Sequence, residues 1–176
     1  MKLKIIIFCF GLVVISTCLI IAHRDLSVFP AYTPEQTAVV YGCLNAPDTT
    51  TITTAGDYYQ INGTFANTLD GWGLVSGCYA YNLNKPRRFV ILWATSLSAN
   101  RQFTNVFIAV RVNGVVREMQ RMGTRCFSLN EPYSFSGIDS LLVADGDDVD
   151  LVITSDGSGD IITVGNLAVA IFSVDS

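Results

Sequence analysis

The chain has 176 residues, of which 50% are hydrophobic and 15% charged, and its formal net charge is -4. This length suits one domain of ordinary size and argues against a two-domain enzyme. The apolar composition excludes a disordered chain, a coiled coil and collagen. The acidic balance argues against a protein that binds nucleic acid by neutralising phosphates.

The first residues predict a membrane anchor. Lys2 and Lys4 precede residues 5–22, which begin at Ile5, end at Ala22 and contain no charge. A helix of eighteen residues covers most of a hydrocarbon core about 30 Å thick. The two lysines favour an N-terminus inside and a C-terminal domain outside, on a cell surface or on the matching side of a virion membrane.

A cleaved signal peptide ending at Ala22 is the alternative interpretation of the same segment. The eighteen apolar residues exceed the usual core of a signal peptide, and Ile20 stands where a small residue would be wanted. We therefore expect residues 1–24 to be a retained single transmembrane anchor. Residues 25–35, with Pro30 and Pro34, are expected to form a short extended stalk before a domain at 36–176.

From residue 36 onward the chain shows the patterns of short strands, and no segment keeps helical spacing for more than two turns. We predict turns within residues 67–73 and strands at 38–41, 49–54, 58–61, 64–66, 77–81, 88–95, 106–112, 115–119, 140–144, 149–154 and 161–174, the last with a break near Gly165. So many strands in one domain predict an all-β fold, an antiparallel β-sandwich of the jelly-roll type.

Three strands carry particular expectations. Residues 88–95 are apolar on both faces, which is typical of a central strand between two layers. Residues 149–154 alternate apolar side chains with Asp150 and Thr154, which predicts one face in contact with water. Residues 167–172 are apolar on both faces, so this strand should be central or covered by a partner.

Two Asn-Gly pairs predict tight turns. Asn113-Gly114 lies between two apolar stretches and predicts a type I′ hairpin, because both turn positions need positive φ. Asn62-Gly63 has the same composition, but with Thr64 it also forms the chain's glycosylation sequon. Asn62 therefore stays a candidate for either role.

The order of these patterns resembles the globular heads of the tumour necrosis factor and complement subcomponent q superfamily. The similarity rests on residues 89–96, the Asn-Gly hairpin, the Gly-Asp-x-Val motif that begins at Gly146, and the closing strand 165–173. It implies a jelly roll that assembles as a homotrimer, with the closing strands packed at a threefold axis. The usual aromatic motif before the hairpin and a collagen stalk are both absent, which argues against secreted signalling.

The residue types give little support for catalysis. His23, the single histidine, falls at the predicted membrane junction, so the domain cannot build a Ser-His-Asp or Cys-His site. The acids of residues 145–160 lie in turn sequences, where solvated or structural roles are more common than catalysis, and they lack the spacing of an EF-hand. We predict no enzyme activity, no metal site and no cofactor.

Three cysteines, Cys43, Cys78 and Cys126, lie outside the apolar segment. In an oxidising compartment one pair of them can form a disulfide, whereas in reducing cytosol all three stay thiols. No CxxC motif is present, which argues against zinc.

Charge is divided along the chain. Eight of the basic residues lie between 85 and 125, and seven acids lie between 139 and 160. The simple interpretation is two solvated surfaces. The sharper hypothesis is that the positive side of one copy meets the negative side of the next and fixes the register of an assembly.

Two functions remain. The first is a membrane-anchored structural protein, a minor capsid or surface component that links a virion membrane to a protein shell, with lipid, copies of itself and neighbouring structural proteins as partners. The second is a trimeric surface module that binds a receptor or a glycan. Such a module would expose aromatic side chains at one loop tip, for which Trp72 and Tyr133 are the candidates.

Overall fold

The structure is a computed structural model and describes residues 39–44, 46–61 and 65–174. Apart from one 3-10 turn, Glu118–Gln120, its regular elements are strands: β1 Val39–Leu44, β2 Asp48–Ile52, β3 Tyr59–Gln60, β4 Phe65–Asp70, β5 Trp72–Val75, β6 Cys78–Tyr81, β7 Arg87–Ala99, β8 Thr104–Val112, β9 Val115–Val116, β10 Met122–Cys126, β11 Tyr133–Val143, β12 Asp148–Ser155 and β13 Asp160–Ser173.

These strands form two antiparallel sheets, which confirms the predicted β-sandwich. The six-stranded sheet has the order β11-β7-β13-β1-β4, with β2 also paired to β13. The seven-stranded sheet has the order β10-β8-β12-β6-β5, with β3 paired to β12 and β9 to β8. Only Gly71, at φ +69°, separates β4 from β5, so the chain passes from one sheet to the other at a single residue.

The core lies between the sheets because each strand turns every second side chain inward. In β7 the inward residues from Arg87 to Ala99 are all buried, and the residues between them are not. The rings of Trp72, Tyr81 and Phe89 pack together at one end of this core, with centroids 4.9 to 5.1 Å apart.

Two strand glycines make room for aromatic rings. Gly137 on β11 lies opposite Trp93 on β7, and a Cβ there would overlap the indole ring. Gly123 on β10 lies opposite Phe107 on β8 in the same way. Both glycines are required by close approach of a ring, since neither has a positive φ.

The hairpin prediction is confirmed. Asn113 and Gly114 have φ values of +48° and +79° and join β8 to β9, as a type I′ turn requires. The predicted break in the last strand is a register shift between Val164 and Asn166. The closing strand is central in its sheet, between β7 and β1, as its composition predicts.

Several local predictions are wrong. Residues 67–73 are not a turn region but the end of β4 and the start of β5. The strand predicted at 115–119 ends at Val116 and gives way to the 3-10 turn. The sequence patterns also missed β10 and the first half of β11, because neither has a clear alternation of large apolar side chains.

The wet face predicted for β12 is wrong too. Asp150, Val152 and Thr154, which alternate with the core-facing residues, are exposed by only 4%, 0% and 1%. The Arg111 guanidinium covers Asp150, and the segment around Tyr59 lies beside Val152. A polar residue in a strand therefore marks a charge pair here rather than a solvent-facing position.

Candidate self-association surface and loop tip

The outer face of the six-stranded sheet carries a continuous row of apolar side chains. Tyr41 lies opposite Ala170, Ala170 opposite Leu92, and Leu92 opposite Ile138, so the row crosses β1, β13, β7 and β11. Tyr41, Leu92 and Ile138 keep 57%, 39% and 60% of their surface exposed. Contiguous exposed apolar side chains of this kind are characteristic of interfaces rather than of ordinary solvated surfaces.

The composition of this face changes along the strands. The neighbouring row consists of the small residues Cys43, Ala168, Ala94 and Ser136. Beyond it most outward positions are polar and are occupied mainly by serines and threonines, as at Ser96. The large and small rows line an open groove of about 910 Å³. We call this set of rows the sheet face.

The middle of the outer face of the other sheet is covered by the chain itself. Ala109 and Val152 point away from the core, yet both are at most 1% exposed. The Arg121 guanidinium lies 4.5 Å from the centre of the Phe107 ring and donates a hydrogen bond of 3.4 Å to the Tyr58 hydroxyl. In the described part of the chain, the sheet face lacks a comparable cover.

The sandwich has two ends, and two loops lie together at the end far from the start of β1. Val39, where β1 begins, is level with Phe172 and so with Val90 on β7. The opposite end of β7 is Ala99, nine residues or about 30 Å further along the strand. The loops 100–103 and 127–132 follow Ala99 and Cys126 at this far end, which we call the loop tip.

Tyr133 lies at the loop tip, but it supports the loop more than it projects from it. Its half-buried side chain accepts hydrogen bonds of 3.0 and 2.9 Å from the N–H groups of Phe127 and Ser128. The exposed rings are those of Phe103 and Phe127, at 58% and 55%. No sequence pattern indicated these two rings, because a single Phe in a loop has no periodic signal.

Trp72 does not lie at an exposed tip, so that expectation is wrong. Its side chain is 6% exposed and packs in the core against Tyr81 and Phe89. Trp72 also begins β5 just after Asp70, and Asp70 is level with Val39. Trp72 therefore lies near the end of the sandwich opposite the loop tip. The Trp72 ring therefore contributes buried apolar area to the core rather than an exposed binding surface.

The three cysteines are free thiols in three different places. Cys43 is exposed on the sheet face, Cys78 is half-buried on the outer side of the seven-stranded sheet, and Cys126 is fully buried. Packed sheets are about 10 Å apart, so Cys43 and Cys78 are too far from each other for a disulfide within one chain. Burial, followed by the Asp150 carboxylate, raises the pKa of the Cys78 thiol.

The two charged segments meet within one chain. Arg101, Arg111 and Arg117 form ion pairs with Asp160, Asp150 and Asp139, and all three carboxylates are buried. The Arg117 Nε atom lies 2.7 Å from Asp139. These arginines are therefore unavailable for the pairing between copies that the charge pattern suggested.

The acids of the turns are structural as well. Asp147 accepts hydrogen bonds from the Asn113 side chain and from the Ala144 N–H, each 2.7 Å long. Asp156 accepts one of 3.0 Å from the Asn105 N–H. Among the described residues no group of three metal-ligating side chains comes together.

Some predicted features lie outside the described residues. These are the anchor at residues 1–24, the stalk at 25–35 and the sequon at Asn62. A search of the described ranges finds no helix that is both long and apolar enough to cross a membrane.

The described domain is similar to the Eiger tumour necrosis factor of S. frugiperda, with a TM-score of 0.58 and 8% identity over 81% of this chain and 95% of that one. The chain has a tumour-necrosis-factor-like jelly-roll fold. The similarity to murine APRIL at pH 5.0 has a TM-score of 0.50 and 10% identity, covering 77% and 98% of the two chains. The similarity to the globular domain of the zebrafish complement 1qA protein has a TM-score of 0.45 and 12% identity, covering 79% and 98% of the two chains.

No protein-family model and no curated protein matches the sequence. The evidence for this jelly roll is therefore structural, and it confirms the fold that the sequence resemblance implied. At these identities the similarity establishes the fold alone.

Proposed function

We propose that this jelly roll is a non-enzymatic module that assembles with two further copies of itself through the sheet face. More specifically, we propose that it is a structural protein of a virion, anchored by residues 5–22 and linking the membrane to a protein shell. The exposed apolar row of Tyr41, Ala170, Leu92 and Ile138 carries the first part of the proposal.

The physical reason for assembly is the hydrophobic effect. Burying a large apolar side chain contributes about 1.5–3 kcal/mol, and the row presents three such side chains side by side. The adjacent small residues allow a second sheet to approach closely. The middle of the other outer face is already covered, so the sheet face is the better surface for contact with copies.

The trimeric state is supported by the fold. The resemblance of the sequence to tumour necrosis factor and complement subcomponent q implies packing of closing strands about a threefold axis. Ala168 and Ala170 on β13, the closing strand, lie in the middle of the sheet face. A cyclic assembly also repeats one interface without leaving an open end.

The membrane part of the proposal rests on the sequence. Eighteen uncharged residues after Lys2 and Lys4 suit a spanning helix, and the stalk of residues 25–35 would hold the domain close to the lipid. A tether between a bilayer and a shell needs this short distance. The absence of histidine from residues 24–176, together with the structural roles of the acids, supports a function without catalysis.

Sedimentation of the purified full chain in detergent tests the assembly. A trimer mass at micromolar concentration supports the proposal, and a monomer mass at all concentrations contradicts it. The intact mass of the mature chain, taken from its native membrane, tests the anchor separately. A mass that lacks residues 1–22 would remove the membrane part and leave the trimer intact.

A further inference from the structure

The loop tip carries a compact cluster of exposed apolar side chains around one arginine. Phe103, Phe127 and Leu129 are each more than half exposed. The Arg125 guanidinium lies 5.6 Å from the centre of the Phe103 ring and 5.7 Å from that of Phe127. We call these four residues the tip cluster.

Arg125 differs from the other arginines of this part of the chain. Arg101, Arg111 and Arg117 each pair with a buried carboxylate, and Arg121 donates to the Tyr58 hydroxyl. No ion pair or hydrogen bond of Arg125 is found within the described ranges, and its contacts there are the two rings. Its N–H donors therefore face solvent beside an apolar surface.

The loops that carry the cluster are held in place. The Tyr133 hydroxyl accepts hydrogen bonds from the Phe127 and Ser128 N–H groups, and the Asn130 N–H donates one of 2.8 Å to the Ala99 carbonyl. Phe103 has a φ of +59°, which is unfavourable for a bulky residue. A fixed loop with an exposed ring loses little entropy when a partner binds.

We propose that the tip cluster is a docking site for an acidic protein surface that presents a carboxylate next to an apolar side chain. The carboxylate would take a bidentate hydrogen bond from Arg125, and the apolar side chain would fill the corner between the two phenylalanine rings. Arginine and aromatic residues are the side chains that contribute most at protein interfaces.

The geometry favours a protein over a glycan. The rings of Phe103 and Phe127 meet edge to face at 89°, so they form a corner rather than the flat platform on which a sugar stacks. Leu129 adds an aliphatic side chain, which suits a protein side chain.

This inference goes beyond self-association and does not depend on it, because the tip cluster lies on loops and the sheet face lies on strands. The two surfaces can be changed one at a time. A defect in binding at the tip that leaves the oligomer mass unchanged therefore belongs to the tip cluster alone.

The test is a selection of random 12-residue peptides displayed on phage against the full chain in phospholipid nanodiscs. We expect enriched peptides that place Asp or Glu beside Leu, Ile or Phe. Arg125→Met should weaken the best synthetic peptide at least tenfold. Arg121→Met is the matched control and should leave its affinity within twofold.

Phe127→Ser should also weaken the peptide at least tenfold, with Leu129→Ser as the substitute if that variant does not fold. Failure to enrich any peptide, enrichment without acidic residues, or equal affinity of the Arg125 variant overturns the proposal. Arg125-dependent binding of sialylated glycans or of phosphatidylserine vesicles, without peptide binding, also overturns it. A change of oligomer mass in the Phe127 variant would place the cluster between copies instead.

Discussion

Replacing Ile138 by serine tests the sheet face most directly. Ile138 is 60% exposed in one copy, and complete burial of an isoleucine contributes about 1.5–3 kcal/mol. Burying the exposed part in an assembly therefore contributes about 1–2 kcal/mol for each copy. A trimer contains three such residues, so the variant should lose about 3–6 kcal/mol of association free energy, or roughly two to four powers of ten in the association constant.

The assay is sedimentation of the full chain over a range of concentrations, together with thermal melting of the same samples. Val115→Ser is the matched control, because Val115 is an aliphatic residue that is 70% exposed on β9 of the other sheet. We expect the Ile138 variant to dissociate at concentrations at which the Val115 variant stays trimeric. Equal trimer stability in both variants would refute the assignment of the interface to the sheet face.

Three further predictions concern stability and thiol chemistry. Arg117→Met should lower the free energy of unfolding by about 2–3 kcal/mol in urea denaturation, because it leaves the buried Asp139 carboxylate unpaired, and adding Asp139→Leu should restore most of the loss. Gly137→Ala should cost about 1–3 kcal/mol because its methyl group overlaps the tryptophan ring of β7, whereas Gly165→Ala has room and should melt within a few degrees of the parent. Cys78 should react more slowly with a disulfide reagent at pH 8 than free cysteine does, and faster as the pH rises, since its raised pKa leaves less thiolate; labelling as fast as that of free cysteine would contradict this.

Much of the fold could be predicted because its signals are local. The Asn113-Gly114 turn needs two positive φ angles, which this pair supplies regardless of the rest of the chain. The closing strand is apolar on both faces, and the structure explains this by placing one face on the core and the other on the sheet face. The unusual composition of this strand is thus consistent with its central position in the sheet.

The parts that could not be predicted depend on contacts between distant residues. Asp150 is polar, but Arg111, 39 positions away, covers it and removes the expected wet face. Phe103 and Phe127 form one cluster although they are in different loops, so no short window of sequence contains both. Trp72 was placed at a tip because aromatic residues are common in binding sites, yet its strand turns it into the core.

In the proposed assembly, the order of rows on the sheet face would also set the direction of neighbouring copies. Large apolar side chains lie towards the end where β1 begins, and hydroxyl side chains lie towards the loop tip. Two antiparallel copies would pack the large apolar side chains of one against the serines and threonines of the other. Two parallel copies would pack apolar side chains against apolar side chains. In such a parallel bundle β1 begins at the same end of every copy.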